Sequence, residues 1–165
     1  MLETERLLFI PFTLQYATAA AQGREVLQRV FPYAVSEQWP NEDYAQIIPQ
    51  IVQLLKMDPT REKWGWLLVD KQDKTLMGEI GCKGGPNERG IVEIGYGIVP
   101  AYQSKGYAAE AASGLVEWLK TLPQVKKIIA DCLIENLASA RVLQKAGFTK
   151  IKEKDGFFLW EIKEW

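Results

Sequence analysis

Apolar positions recur with two different periods along the chain, and each change of period marks an element. Residues 7–12 (LLFIPF) form a short apolar run that reads as a strand ending near Pro11. Residues 13–22 and 24–30 carry helical spacing, with Thr13 placed as an N-cap. An aromatic loop with two prolines, 31–40, holds Tyr33 and Trp39. Asn41 then caps a longer helix over 42–57, whose stripe is Tyr44, Ile47, Ile48, Ile51, Leu54 and Leu55; Pro49 within it predicts a kink or a shifted start. Residues 64–69 and 76–82 read as a hairpin around the polar turn 70–74, and 83–90 is a second polar turn.

The next run, 91–99, is β-branched and aromatic and is bounded by Gly90 and Pro100, so it reads as a central strand. From Ala108 the spacing turns helical: Ala108, Ala112, Leu115, Val116 and Leu119 share one face, and Pro123 prevents extension. A strand over 127–134, a helix over 136–146 and a hairpin of 148–153 with 156–162 complete the order. Asn136 suits an N-cap and Gly147 the left-handed residue that closes a helix, which predicts Phe148 packed back on Leu143. No repeat, linker or low-complexity tract interrupts the pattern, so residues 1–165 are read as one domain.

Charge and composition narrow the function. The net charge is −1 with both signs interspersed, which argues against nucleic acid or an anionic membrane as partner. No apolar run reaches the length of a membrane helix, and the opening residues lack the basic start and apolar core of a signal peptide, so a cytoplasmic location is expected. Cys82 and Cys132 each fall inside an apparent strand, so no disulfide framework is expected. The chain has no histidine. Ser-His-Asp and Cys-His triads and the common zinc sites are thereby excluded, no metal is expected, and proton transfer falls to Glu, Asp, Tyr, Lys, Ser or water.

Candidate chemistry sits on the 91–119 stretch. Residues 103–108 (QSKGYA) join the central strand to the following helix, where the first amides have no intrahelical acceptor and the dipole favours an anion, most simply a phosphate. GxxxxGK[ST] is absent, and Gly95-x-Gly97 lies within the strand, which disfavours a nucleoside triphosphatase or a dinucleotide enzyme. Strand alternation places Val92, Ile94, Tyr96 and Ile98 on one face, and Glu93, Gly95 and Gly97 on the other. Glu93 beside the glycine-made space is the first candidate for a base; an ordinary charged residue on a solvated strand face is the competing reading, and a bulge would break the alternation. Glu79 on the neighbouring strand is the second candidate.

Together these residues resemble the GCN5-related N-acetyltransferase superfamily. Gln103-x-x-Gly106-x-Ala108 is similar to its pyrophosphate signature, and Asn136-x-x-Ser139 followed by Lys145-x-Gly147-Phe148 is similar to its second signature. The opening Glu3-Thr4-Glu5-Arg6-Leu7 resembles the subgroup that contains ribosomal-protein N-terminal acetyltransferases. The resemblance implies an α/β (α+β) fold, with a mixed, mostly antiparallel sheet of about seven strands, splayed central strands and helices on both faces. It implies acetyl-CoA as co-substrate, its pantetheine arm paired with Gly97, Ile98 and Val99. The amides of Gln103, Ser104, Lys105, Gly106, Tyr107 and Ala108 would hold its pyrophosphate, and Asn136 would bond the arm. A backbone N–H near Ile98 would stabilise the oxyanion. The acceptor is then a primary amine, either a protein N-terminus or a small molecule, and the family leaves room for a homodimer. Many relatives place a tyrosine acid seven residues after the asparagine; here that residue is Leu143, and the resemblance transfers the role to Ser139. The same substitution raises a second reading, a catalytically silent acyl-CoA-binding or sensing domain.

Overall fold

A computed structural model describes residues 2–165. It comprises β1 (Leu7–Pro11), α1 (Leu14–Gln22), α2 (Arg24–Val30), β2 (Ala34–Val35), α3 (Glu42–Met57), β3 (Gly65–Asp70), β4 (Thr75–Cys82), β5 (Ile91–Ile98), α4 (Tyr107–Lys120), β6 (Lys127–Leu133), α5 (Leu137–Lys145), β7 (Thr149–Lys154) and β8 (Phe157–Lys163), with short 3-10 turns at Pro59–Trp64 and Pro100–Tyr102. Its open sheet runs β1-β3-β4-β5-β6-β8-β7, with the two-residue β2 beside β4. Only β2–β4 and β5–β6 are parallel; the other pairs are antiparallel.

Caps explain where the helices begin. The Thr13, Asn41 and Asn136 side chains accept from the amides of Tyr16, Tyr44 and Ser139, three residues on in each case. Gly147 adopts φ 96°, and the Phe148 amide returns to the Leu143 carbonyl at 3.0 Å. Both of those residues are buried. α3 runs unbroken from Glu42 through Pro49, so the expected shift in its start does not occur. Its stripe divides: Ile48, Val52 and Leu55 enter the core, while Tyr44, Ile47, Ile51 and Leu54 line a groove.

The two helical layers sit on opposite sheet faces. Trp118 of α4 packs edge-on against Trp66 at 5.3 Å, and Ser139 of α5 meets the Tyr96 hydroxyl. On the other face Glu79 receives the Trp39 indole N–H, and Phe12 bridges Trp39 and Tyr44. Leu115, Val116 and Leu119 of α4 are fully buried, and Ala111 takes the core place expected of Ala108. No helix among the described residues is long and apolar enough to cross a membrane.

β5 and β6 pair only at Ile91–Glu93 against Lys127–Ile129. Beyond that point β5 follows β4 as far as Gly78↔Ile98, and β6 follows β8 as far as Leu133↔Phe157. Each strand is satisfied along its outer edge, so their inner edges separate and a cleft opens between them.

Candidate active site

The antiparallel register fixes which backbone groups face the cleft. The Val99 amide donates to Met77 and the Lys83 amide to the Glu93 carbonyl, so the intervening odd-numbered residues of β5 turn their amides toward β4. The amides of Tyr96 and Ile98 consequently point into the opened side. No register shift interrupts β4–β5, and the alternation expected from sequence runs through to Ile98. Free edge amides beside a cleft can take an added half-strand or a developing oxyanion.

At the far end of β5 the chain turns through residues 100–106 into α4. Ser104 (φ 62°) and Gly106 (φ 83°) both lie in the left-handed region. Among the described residues, none of the amides of 104–108 donates within the chain, and the first helical bond is Glu110 N–H to the Gly106 carbonyl at 3.0 Å. These unpaired donors at the positive end of a fourteen-residue helix suit a diphosphate. Gln103 behaves differently: its amide is taken by the Pro100 carbonyl, and its side-chain amide donates to the Ile98 carbonyl at 2.8 Å. The free run therefore begins at Ser104, and Gln103 ties the loop to the strand.

A groove of about 740 Å3 passes through the splay. One wall is the outer half of the α3 stripe; the opposite side carries Tyr96, Asp131 and Ser139, and Glu79 lies within it. A smaller cavity of about 120 Å3 lies against Gly97, Ile98, Val99 and Gln103. Glu79 and Asn41 line both. The Glu79 side chain lies over Gly97, where any Cβ would overlap its carboxyl. It is 5% exposed, and burial pushes its pKa up to about 7 against the opposing pull of the Trp39 N–H at 3.2 Å. The phenol of Tyr44, beside it, is also pushed up, by burial and then by the Glu79 charge.

Glu93, the first candidate for a base, is placed differently. Its Oε1 accepts from Lys83 Nζ at 2.9 Å, and the residue does not line the groove; the Lys83 stem lies over Gly95 instead. The space left by Gly95 and Gly97 exists, but Glu79 of β4 and Lys83, just beyond its end, fill it. Alternation could not show this, because register across the β4–β5 pair decides which residue folds over which glycine.

On the α5 side, the hydroxyls of Ser139 and Tyr96 share a hydrogen bond at 2.8 Å. Burial pushes the Tyr96 phenol up to about 12, with the Ser139 bond opposing, so it remains protonated. Leu143 is fully buried. Asn136 Oδ1 is committed to the Ser139 amide at 3.0 Å, leaving its NH2 as the available donor. Cys82 and Cys132 are both free and buried. Sequence reading missed two participants, Tyr96 and Trp39. Alternation assigns Tyr96 to the apolar face, and nothing in its spacing marks the Ser139 hydroxyl 43 residues away.

Comparison with known proteins identifies the family and the fold. The acetyltransferase (GNAT) domain family matches residues 6–149. The uncharacterized N-acetyltransferase YjdG of Bacillus subtilis (strain 168) is 32% identical over 149 residues, covering 90% of this chain and 89% of that protein. A putative ribosomal-protein-serine acetyltransferase from Vibrio cholerae shares the fold with a TM-score of 0.67 at 18% identity, covering 99% of this chain and 97% of that one. Mycobacterium smegmatis RimJ, solved with CoA-disulfide, does so with a TM-score of 0.64 at 21% identity, over 95% and 81% of the respective chains. The chain belongs to the GNAT acetyltransferase family and is an N-acetyltransferase.

Proposed function

We propose that the chain, acting as one cytoplasmic domain, transfers the acetyl group of acetyl-CoA to a primary amine by direct attack in a ternary complex. The observation that carries this reading is the position of Glu79, a buried carboxyl with a pKa of about 7 where the groove meets the cavity along Gly97–Val99. A base of that pKa can accept a proton from an arriving ammonium near neutral pH, which is the condition for efficient proton transfer.

When bound, acetyl-CoA supplies an activated thioester carbonyl. Amides of residues 104–108 would hold its pyrophosphate, and the open edge of β5 at Tyr96 and Ile98 together with the Asn136 NH2 would hold its arm; the amides of Gly97 and Val99, expected from the resemblance to pair with it, are turned to β4. Glu79 takes the proton that makes the amine nucleophilic, and the Ile98 N–H donates to the carbonyl oxygen as charge develops there. The Ser139 hydroxyl, backed by the neutral Tyr96 phenol, donates to the departing sulfur. Most of the rate gain is orientation, on the order of 7–11 kcal/mol in favourable cases. The acceptor enters beside Tyr44, Ile47, Ile51 and Leu54, a wall suited to an apolar chain bearing a terminal amine. The Vibrio cholerae relative's description makes a protein N-terminus one acceptor class to test.

Release of free CoA thiol, followed with a panel of peptide N-termini and small amines, tests the reading. Turnover with at least one amine, reduced by about 10²–10⁴-fold in Glu79→Gln, is expected. CoA binding with no turnover across the panel would favour the silent binding domain that Leu143, in place of the usual acid, suggests.

A further inference from the structure

The opening segment, residues 3–6, has no part in the chemistry above, yet it is bonded to the head of α4. Thr4 Oγ1 donates to Glu110 Oε1 at 2.6 Å, the Arg6 amide donates to the same oxygen at 2.8 Å, and Arg6 Nε donates to Oε2 at 2.7 Å. The same guanidinium donates from Nη1 to the Lys105 carbonyl at 2.9 Å and stacks 4.1 Å from the Tyr107 ring centroid. Its Nη2 lies 3.4 Å from where a Cβ on Gly106 would stand. One turn along α4 from Glu110, Gly114 leaves the space that the Thr4 methyl fills, since a Cβ there would lie 2.6 Å from it. Helix α4 thus carries a seat for this segment at positions four residues apart.

Glu110 needs an explanation at this site. A carboxylate in the first turn suits the helix dipole when no ligand is present, but it opposes a diphosphate gathered by the same amides. Burial pushes the Glu110 carboxyl up, and the Thr4 hydroxyl with the Arg6 amide and guanidinium outweigh it, so the group stays ionised. Arg6 is therefore a fixed positive charge that cancels Glu110 and bonds the loop whose amides are free.

Resting on the acetyl-CoA reading of that loop, we propose that residues 4–6 are part of the cofactor site. Glu110 is the opposing charge that Arg6 cancels, and Arg6, held also by the Lys105 carbonyl and the Tyr107 ring, supplies the charge that admits the pyrophosphate. The head of α4 is then a composite anion site, built from amides of residues 104–108 and from a side chain about a hundred residues earlier in the chain.

The test measures CoA affinity of the full chain by calorimetry and by the CoA-dependent shift in thermal unfolding, together with KM for acetyl-CoA and kcat. In Arg6→Gln, CoA Kd and KM are expected to rise about tenfold or more, with kcat at saturation falling by less. Glu110→Gln removes the opposing charge and leaves Arg6, so its Kd is expected to equal or fall below that of the parent. Arg6→Gln/Glu110→Gln is expected to regain most of the affinity lost by Arg6→Gln alone. Arg6→Lys keeps the charge and is expected to bind CoA within about threefold of the parent, which provides a reading should Arg6→Gln fold poorly. The proposal is overturned if Glu110→Gln weakens CoA binding as much as Arg6→Gln does, the result of a purely structural clasp. Unaltered Kd in Arg6→Gln overturns it equally. A parent chain that binds no CoA overturns the loop assignment itself, an outcome distinct from either.

Discussion

At the scale of single residues, the proposed function concentrates on a carboxyl whose ionisation is costly. Glu79 faces the Trp39 N–H, the Tyr44 ring and the glycine at position 97, and it forms no ion pair among the described residues. Its ordinary pKa of 4.5 rises to about 7 because burial penalises the charged form. Between those values the folded chain holds a proton that the unfolded chain has released. Stability therefore falls as pH rises through that window, by about 3 kcal/mol in all, and is flat below it. Activity is expected to show the opposite dependence: Glu79 as the proposed base works only when deprotonated, so kcat/KM should rise through pH 7. Glu79→Gln is expected to abolish both slopes: its melting temperature stays level from pH 4.5 to 7, and its residual kcat/KM loses the limb near 7. A mutant that keeps that limb would move the base to another group. Gly97→Ala is a subtler probe, because its Cβ would displace the Glu79 carboxyl and lower kcat without removing any polar atom.

Elements carry the next layer. Helix α5 is capped by Asn136, whose Oδ1 accepts from the Ser139 amide and whose NH2 is the donor that the proposed reading gives to the pantetheine arm. Asn136→Ala should cost about 1 kcal/mol of stability and weaken CoA binding as well. Serine is nearly as good a cap, so Asn136→Ser should keep the melting temperature while still losing affinity for CoA, which calorimetry would show. If serine restores both, the residue is only a cap. Such local logic was legible in the sequence: the caps at Thr13, Asn41 and Asn136, the turn at Gly106 and the close at Gly147 rest on neighbours three or four residues away. Relations between distant segments were not. Which of Glu93 and Glu79 reaches the groove depends on Lys83, on cross-strand register and on what fills the space over Gly95 and Gly97. Half of the α3 stripe lines the groove because the sheet leaves that side open, and periodicity marks a stripe as apolar without saying what covers it.

For the whole molecule, the splay is the feature with the largest consequence. Two adjacent strands that part after three paired residues leave the inward-facing amides of Tyr96 and Ile98 unmatched, and the head of α4 leaves more. Such groups require a partner, and in the absence of one they must be solvated. A ligand that satisfies them binds only the folded state, so it stabilises the fold by mass action: at a hundred times its Kd, by about 2.7 kcal/mol. For a chain of this length that is a rise of about 5–10 °C in melting temperature. Saturating CoA should produce it, whereas free adenosine, with no diphosphate or pantetheine, should not. Hydrogen exchange locates the effect, because protection should appear at the amides of Tyr96, Ile98 and 104–108 and not along α3, whose groove the proposed reading gives to the acceptor. Protection spread evenly over the chain, with no excess at those amides, would mean that CoA binds elsewhere and that the cleft between β5 and β6 has another use.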